Sequence, residues 1–236
     1  MLVDVVTYAG ERDLLLARLD VLQPDMCVVV ESDHTFTGKP RRLTFLDDPV
    51  EGVAYAQHTS PRFPNPWSNE FAQRNEGMKA AQMLNLDGDD VVGFFDVDEF
   101  PDPDVIRERV DVTAWRMAKY QMSLWWFQQY ELTGVSGRWA DLQSEDVASL
   151  RQRRASLPSV DSGWHYSSFL SKKDTLAKWL NFSHTELVRP NMDEWVEHCW
   201  FMGLAIESGE KLFEHDNRGV HPKRMWEGPD FWQRTR

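Results

Sequence analysis

The chain opens on short apolar blocks separated by polar turns. Residues 2–8 form an apolar run, and Glu11 to Leu22 follows with Leu14, Leu15, Leu16, Leu19 and Leu22 at helical spacing, closed by Pro24. Met26 to Glu31 is a continuous apolar run, the pattern of a strand covered on both faces. Strand, helix and strand in succession predict a βαβ unit and a parallel sheet.

Further along, 42–45 reads as a short strand, and Pro61, Pro64 and Pro66 make 58–68 an irregular loop. The spacing of Phe71, Met78, Ala81 and Leu84 predicts a helix over 69–86, with Asn69 as its cap. Asp87 to Asp90 is a turn, and Val91 to Phe95 is a buried strand. Helices are expected at 103–110, 172–179 and 193–206, with strands in the Trp- and Tyr-rich region 113–140 and at 163–169. The polar tail 215–236, with Pro222 and Pro229, is expected to wrap the surface. With no repeat and no linker, the pattern predicts a single α/β domain. Its mostly parallel central sheet would be flanked by helices, with a ligand-binding half over 1–110 and a second half over 111–214.

Composition narrows the function classes. The 236 residues carry 26 Lys and Arg against 38 Asp and Glu, a net charge of −12, which disfavours general duplex binding and anionic membrane surfaces. The 2 cysteines rule out a disulfide framework, and Cys27 lies in an apolar run where burial is expected. No stretch is long and apolar enough to span a bilayer, and no signal peptide is apparent, so a cytoplasmic location is expected. The 11 Trp residues fit a core, an interface or a sugar-stacking surface equally well.

The most informative segment is Asp96-Val97-Asp98-Glu99, where a buried strand emerges into carboxylates. In open α/β sheets ligands bind beyond the carboxyl ends of strands. Residues two apart on an extended chain point the same way, so Asp96 and Asp98 address one site and repel unless a cation joins them. Mn²⁺ or Mg²⁺ suits such a pair, and a solvated acidic turn is the plainer alternative. Arg74 and Asn75, near the start of the preceding helix, are candidates for phosphate or nucleotide contact. Glu31 and Asp33 end the second strand and suit ribose hydroxyls or a base N–H. Tyr8 and Glu11, at the end of the first strand, complete the candidates for a nucleotide pocket.

These residues resemble a known family. Val29-Val30-Glu31-Ser32-Asp33-His34-Thr35-Phe36-Thr37-Gly38-Lys39-Pro40 is similar to a characteristic segment of glycosyltransferase family 17. Asn69-Glu70, Arg74-Asn75, Asp89 to Pro101, Gly163-Trp164-His165-Tyr166-Ser167-Ser168-Phe169, Lys178, and Phe182-Ser183-His184-Thr185-Glu186 follow in the same order. The resemblance covers roughly 1–190 and implies a GT-A, Rossmann-like fold, a UDP-sugar donor, inversion at the anomeric carbon, and a divalent metal at Asp98 with help from Asp96. It names N-acetylglucosamine as the first donor sugar to consider. The compact form, without membrane anchor or stem, suggests a bacterial or viral enzyme, active in the second case in a host cytoplasm.

Roles follow from that reading. Arg74 and Lys178 are cationic helpers for the leaving diphosphate. Glu186 is the first choice of general base, with Glu99 and Asp161 behind it. A histidine, His184 or His165, is a candidate third metal ligand, with His184 preferred; Trp164 and His165 are placed on the acceptor side. The acceptor is a hydroxyl of a glycan, a protein or a hydroxymethylated base of viral DNA. Arg151, Arg153 and Arg154 are the basic stretch that would meet an anionic acceptor. A noncatalytic carbohydrate-binding protein that uses the Trp-rich region is the reading from a different class.

Overall fold

A computed structural model describes residues 1–59, 62–214 and 221–233. The first βαβ unit forms as its pattern predicts: β1 (Leu2–Tyr8), α1 (Arg12–Leu22) and β2 (Met26–Ser32). Helix α1 ends where Gln23 turns left-handed at φ 44° ahead of Pro24. The expected strand at 42–45 is absent; Phe45–Asp47 is a 3₁₀ turn instead, and the strand lies further on, as β3 (Val53–His58). Helix α2 (Pro66–Gln82) starts before the expected cap. Asn65 caps it, accepting the Trp67 N–H, with Pro66 in the first turn. Asn69 is buried inside the helix, where its amide holds the carbonyls of Phe36 and Phe63.

After β4 (Val91–Asp96) the chain turns sharply into β5 (Glu99–Phe100) and α3 (Pro103–Glu108). The aromatic region forms β6 (Thr113–Gln121) and the long β7 (Trp126–Arg138), followed by α4 (Trp139–Leu142) and α5 (Val147–Gln152). Then come β8 (Ser159–Ser167), α6 (Lys172–Asn181), α7 (Met192–Met202) and the short β9 (Phe213–Glu214).

One sheet runs through the described residues in the order β3-β2-β1-β4-β7-β6-β8-β5, with β9 added to β7. The strands β3, β2, β1 and β4 are parallel, and β7 joins β4 antiparallel. Strand alternation sends Val6 and Val29 toward α1, while Val5, Val28, Val30 and Phe94 pack with α2, α4 and α5. Gly77 lets α2 lie close on the sheet, since a Cβ there would stand 2.8 Å from Val5. The result is a single Rossmann-like α/β domain. Among the described residues no helix is long and apolar enough to cross a membrane.

The tail departs from its expected surface course. Residues 215–220 and 234–236 lie outside the described residues, but 221–233 plugs into the core. Met225 and Trp232 are buried, the Trp232 indole N–H donates to the Phe169 carbonyl at 3.1 Å, and Leu124 N–H donates to Trp232 O at 2.7 Å. Four more of the 11 Trp residues are buried likewise: Trp115, Trp126, Trp139 and Trp179.

His221, at the start of this plug, donates from Nε2 to the Leu124 carbonyl at 2.9 Å and accepts at Nδ1 from Tyr166, 3.2 Å away. Burial lowers its pKa to about 4. The unfolded chain, with a His pKa of about 6.5, binds this proton first, so stability is lost as pH falls from there toward 4, by up to about 1.4 kcal/mol per unit. Urea midpoints at pH 7 and pH 5 are expected to differ more for the parent than for His221→Gln. Equal pH slopes would contradict this assignment.

Candidate active site

The site lies where β1 and β4 end side by side and the chain turns into β5. Asp96 closes β4. Its Oδ1 accepts from Thr7 on β1 at 2.6 Å, and its Oδ2 accepts from Arg74 at 2.8 Å and Arg151 at 3.0 Å. Arg151, from α5, also makes a bidentate pair with Glu99, with both contacts at 2.8 Å. Glu99 in turn accepts the Asp96 backbone N–H at 2.9 Å. Burial works against the ionised Asp96, but Arg151 and Arg74 outweigh it and hold the carboxyl well below its usual range. From beneath, the fully buried Arg18 is bidentate to Asp4 at 2.6 and 2.7 Å and donates to the Glu99 carbonyl. The acidic corner is thus clamped on both sides.

Asp98 belongs to a different partner set. Lys178 of α6 donates to its Oδ2 at 2.9 Å, and His165 Nε2 lies 3.7 Å from its Oδ1. His165 arrives there because β8 pairs with β5, Glu99 opposite His165. Gly163 allows that approach: it sits at φ +89°, and a Cβ would collide with the Phe100 carbonyl. The other ring nitrogen of His165 faces Glu131 of β7 at 3.4 Å, and Glu131 meets Lys119 at 3.1 Å. Burial opposes the imidazolium, yet Asp98 and Glu131 raise its pKa to about 10. Burial likewise opposes the charged forms of Asp98 and Lys178, and their mutual attraction keeps both ionised.

The structure therefore gathers Asp96, Asp98, Arg74, Lys178 and His165. Glu11 borders the group, close enough to Lys178 to favour its charge, whereas the Tyr8 ring packs in the core against Phe45 and burial pushes its phenol up to about 12. Other candidates go elsewhere. Asn75 locks α2 to α5 through Asp146 and the Ala148 N–H. Glu31 is buried and spends its oxygens on Thr44 and on the Phe45 N–H, pinning the 3₁₀ turn. Asp33 pairs with His34 at 2.6 Å. Trp164 neighbours His165 on an extended strand, so it takes the opposite face and packs with the core around Phe100. Glu99 is held by Arg151, and Asp161 pairs with Arg116 on the surface, so neither is a free base.

His184 does not join Asp96 and Asp98. Its Nδ1 is taken by Glu186 at 2.5 Å, and its ring rests on Trp67. Among the described residues no group of three His, Cys, Asp or Glu side chains is placed to hold one metal ion. The pair nearest to a metal site is Asp98 with His165. They stand 3.7 Å apart with Glu131 behind the ring, and the imidazolium that these two carboxylates favour would have to release a proton before its nitrogen could hold a metal. Two protein ligands suit Mg²⁺ or Mn²⁺, which keep waters and substrate oxygens in the remaining positions. The oxygens of Asp96 are already engaged by Thr7, Arg74 and Arg151.

Sequence reasoning did not place Arg151 or Glu131 in this group. Of the basic stretch, Arg151 is buried in the site and Arg153 pairs with Glu145 at 2.8 Å.

A parallel half-sheet that ends in this charged group defines a Rossmann-like α/β protein, and the group lies at the sheet edge where such folds bind ligands. More particularly, the chain belongs to glycosyltransferase family 17, whose family profile matches residues 1–214. Curated proteins give no match. Among solved structures the chain is similar to the nucleoside-diphosphate-sugar pyrophosphorylase from Vibrio cholerae RC9, with 9% sequence identity and a TM-score of 0.31, over 72% of this chain and 92% of that one.

Proposed function

We propose that this glycosyltransferase moves a hexose, N-acetylglucosamine first among candidates, from a UDP-sugar to a hydroxyl acceptor with inversion, on a GT-A-type site. The observation that carries the reading is the meeting of Asp98, Lys178, His165 and Arg74 at the carboxyl edge of the parallel strands. A diphosphate leaving group gains negative charge as the glycosidic bond breaks, and cations fixed in advance stabilise it without reorganising. Lys178 and Arg74 supply that charge, while Arg151 and Arg18 keep the acidic corner in place beneath them. Mn²⁺ or Mg²⁺ held by Asp98 and His165 would add a Lewis acid at the same diphosphate.

No observation favours hydroxymethylated DNA over other acceptors, because Arg151 faces inward and Arg153 is paired. A sugar-binding role for the Trp-rich region is not favoured either, since Trp115, Trp126 and Trp139 are core residues and Trp125 packs against Trp226. Mass spectrometry of products from UDP-sugars offered with glycan, protein and hydroxymethylated DNA pools tests the reading. A hexose added to one pool supports it; sugar binding with no UDP release from any pool overturns it.

A further inference from the structure

Helix α6 and the segment after it are tied to the loops and helix beside the site. Lys178 reaches Asp98 at 2.9 Å, Thr37 of the loop after β2 donates to Asn181 at 3.3 Å, and the His184 ring meets Trp67 edge-on at 4.4 Å. Trp67 stands one stretch of α2 ahead of Arg74, about 10 Å along the axis for seven residues. Arg74 grips Asp96. His184 therefore sits beside the N-terminal end of α2, on the carboxyl-edge side of the sheet that also carries Asp96 and Asp98.

There the ring is oriented from three sides. Phe182 flanks it at 5.2 Å, Trp67 meets it at 84°, and Glu186 holds Nδ1 at 2.5 Å. A carboxylate only accepts, so Nδ1 carries the hydrogen, and in the neutral ring the lone pair is then on Nε2. The His184 side chain is 38% exposed, enough for Nε2 to meet a ligand. An exposed ion pair contributes little to stability, which leaves orientation and tautomer as the effects this pair can have. The other carboxylates considered for proton removal, Glu99 and Asp161, are held by arginines.

We propose that His184 is the base that takes the acceptor proton, and that Glu186 is a positioning residue that fixes its tautomer. The inference rests on the glycosyl-transfer reading above. As the acceptor oxygen bonds to the anomeric carbon, the bond from that carbon to the diphosphate oxygen breaks, and its electron pair leaves on the diphosphate. The acceptor proton passes to Nε2 and from there to water.

Two measurements on the full chain test this. Spectra of ¹⁵N-histidine-labelled protein are expected to show Nδ1 as the protonated nitrogen of the neutral His184 ring in the parent, and a mixture of tautomers in Glu186→Gln. With UDP-N-acetylglucosamine, Mn²⁺ and a pooled set of glycan and protein acceptors, His184→Gln is expected to lower kcat by about 10²–10⁴-fold, with UDP affinity unchanged by calorimetry. Glu186→Gln should lose less, and Glu186→Asp should restore part of the rate. An Nε2-protonated parent, or a His184→Gln variant that keeps its kcat, overturns the proposal. A parent that releases no UDP with any acceptor overturns the transfer reading instead, while the tautomer still decides the pair.

Discussion

Arg151→Met is expected to lower stability by about 3–5 kcal/mol, because it leaves the buried Glu99 without its cation and Asp96 with Arg74 alone. Arg151 contacts both oxygens of Glu99 and one of Asp96, and nothing else in α5 can replace its fork. A methionine of similar length fills the volume without the charge, so the loss reports electrostatics rather than a cavity. For a chain of 236 residues the melting temperature should fall by roughly 6–20 °C. The companion variant Arg151→Met with Glu99→Gln should recover part of it, since one unpaired charge is removed. Differential scanning calorimetry checks this. A shift within about 2 °C of the parent would mean that solvent, not Arg151, compensates these acids.

The second large effect concerns ligand binding. Asp98→Asn removes the carboxylate that Lys178 and His165 share, and it should weaken Mn²⁺ binding in the presence of UDP by more than about 100-fold, since even supporting residues behind a ligand commonly contribute 10- to 100-fold. His165→Gln should weaken it in the same direction. His184→Gln should leave it unchanged, which separates the two histidines. Electron paramagnetic resonance of free Mn²⁺ reads all three. If Asp98→Asn retains parent affinity, the cation does not sit at Asp98.

The contrast between these histidines shows what was legible in the sequence. Asp96 and Asp98 stand out because an apolar strand ends in acids, and local pattern carries that information. Arg74 is legible because the helix that holds it leads straight to that strand. Nothing local distinguishes His165 from His184. What separates them is strand pairing, which sets His165 opposite Glu99, while His184 turns to Trp67. Arg151 is illegible for the same reason: its partner Glu99 lies 52 residues away, and a basic run reads as surface until the fold brings α5 over the acids.

Isolated apolar residues mislead too. Met225 and Trp232 sit among prolines and charges with no period, yet they fill the space beside Phe169 and Leu124. Asn69 looked like a helix cap because it follows a proline-rich loop. The proline just before Trp67 starts the helix earlier and leaves Asn69 to bind the loops that border the site.

The central claim is that the acids and cations at the carboxyl edge of the sheet hold a nucleotide sugar together with a divalent cation. Calorimetric titration of the parent protein with UDP-N-acetylglucosamine, with Mn²⁺ and again with EDTA, tests it most directly. Saturable binding with Mn²⁺ that weakens by at least about tenfold, or 1.4 kcal/mol, in EDTA is the predicted result. Binding of equal strength in both, or none in either, would contradict it.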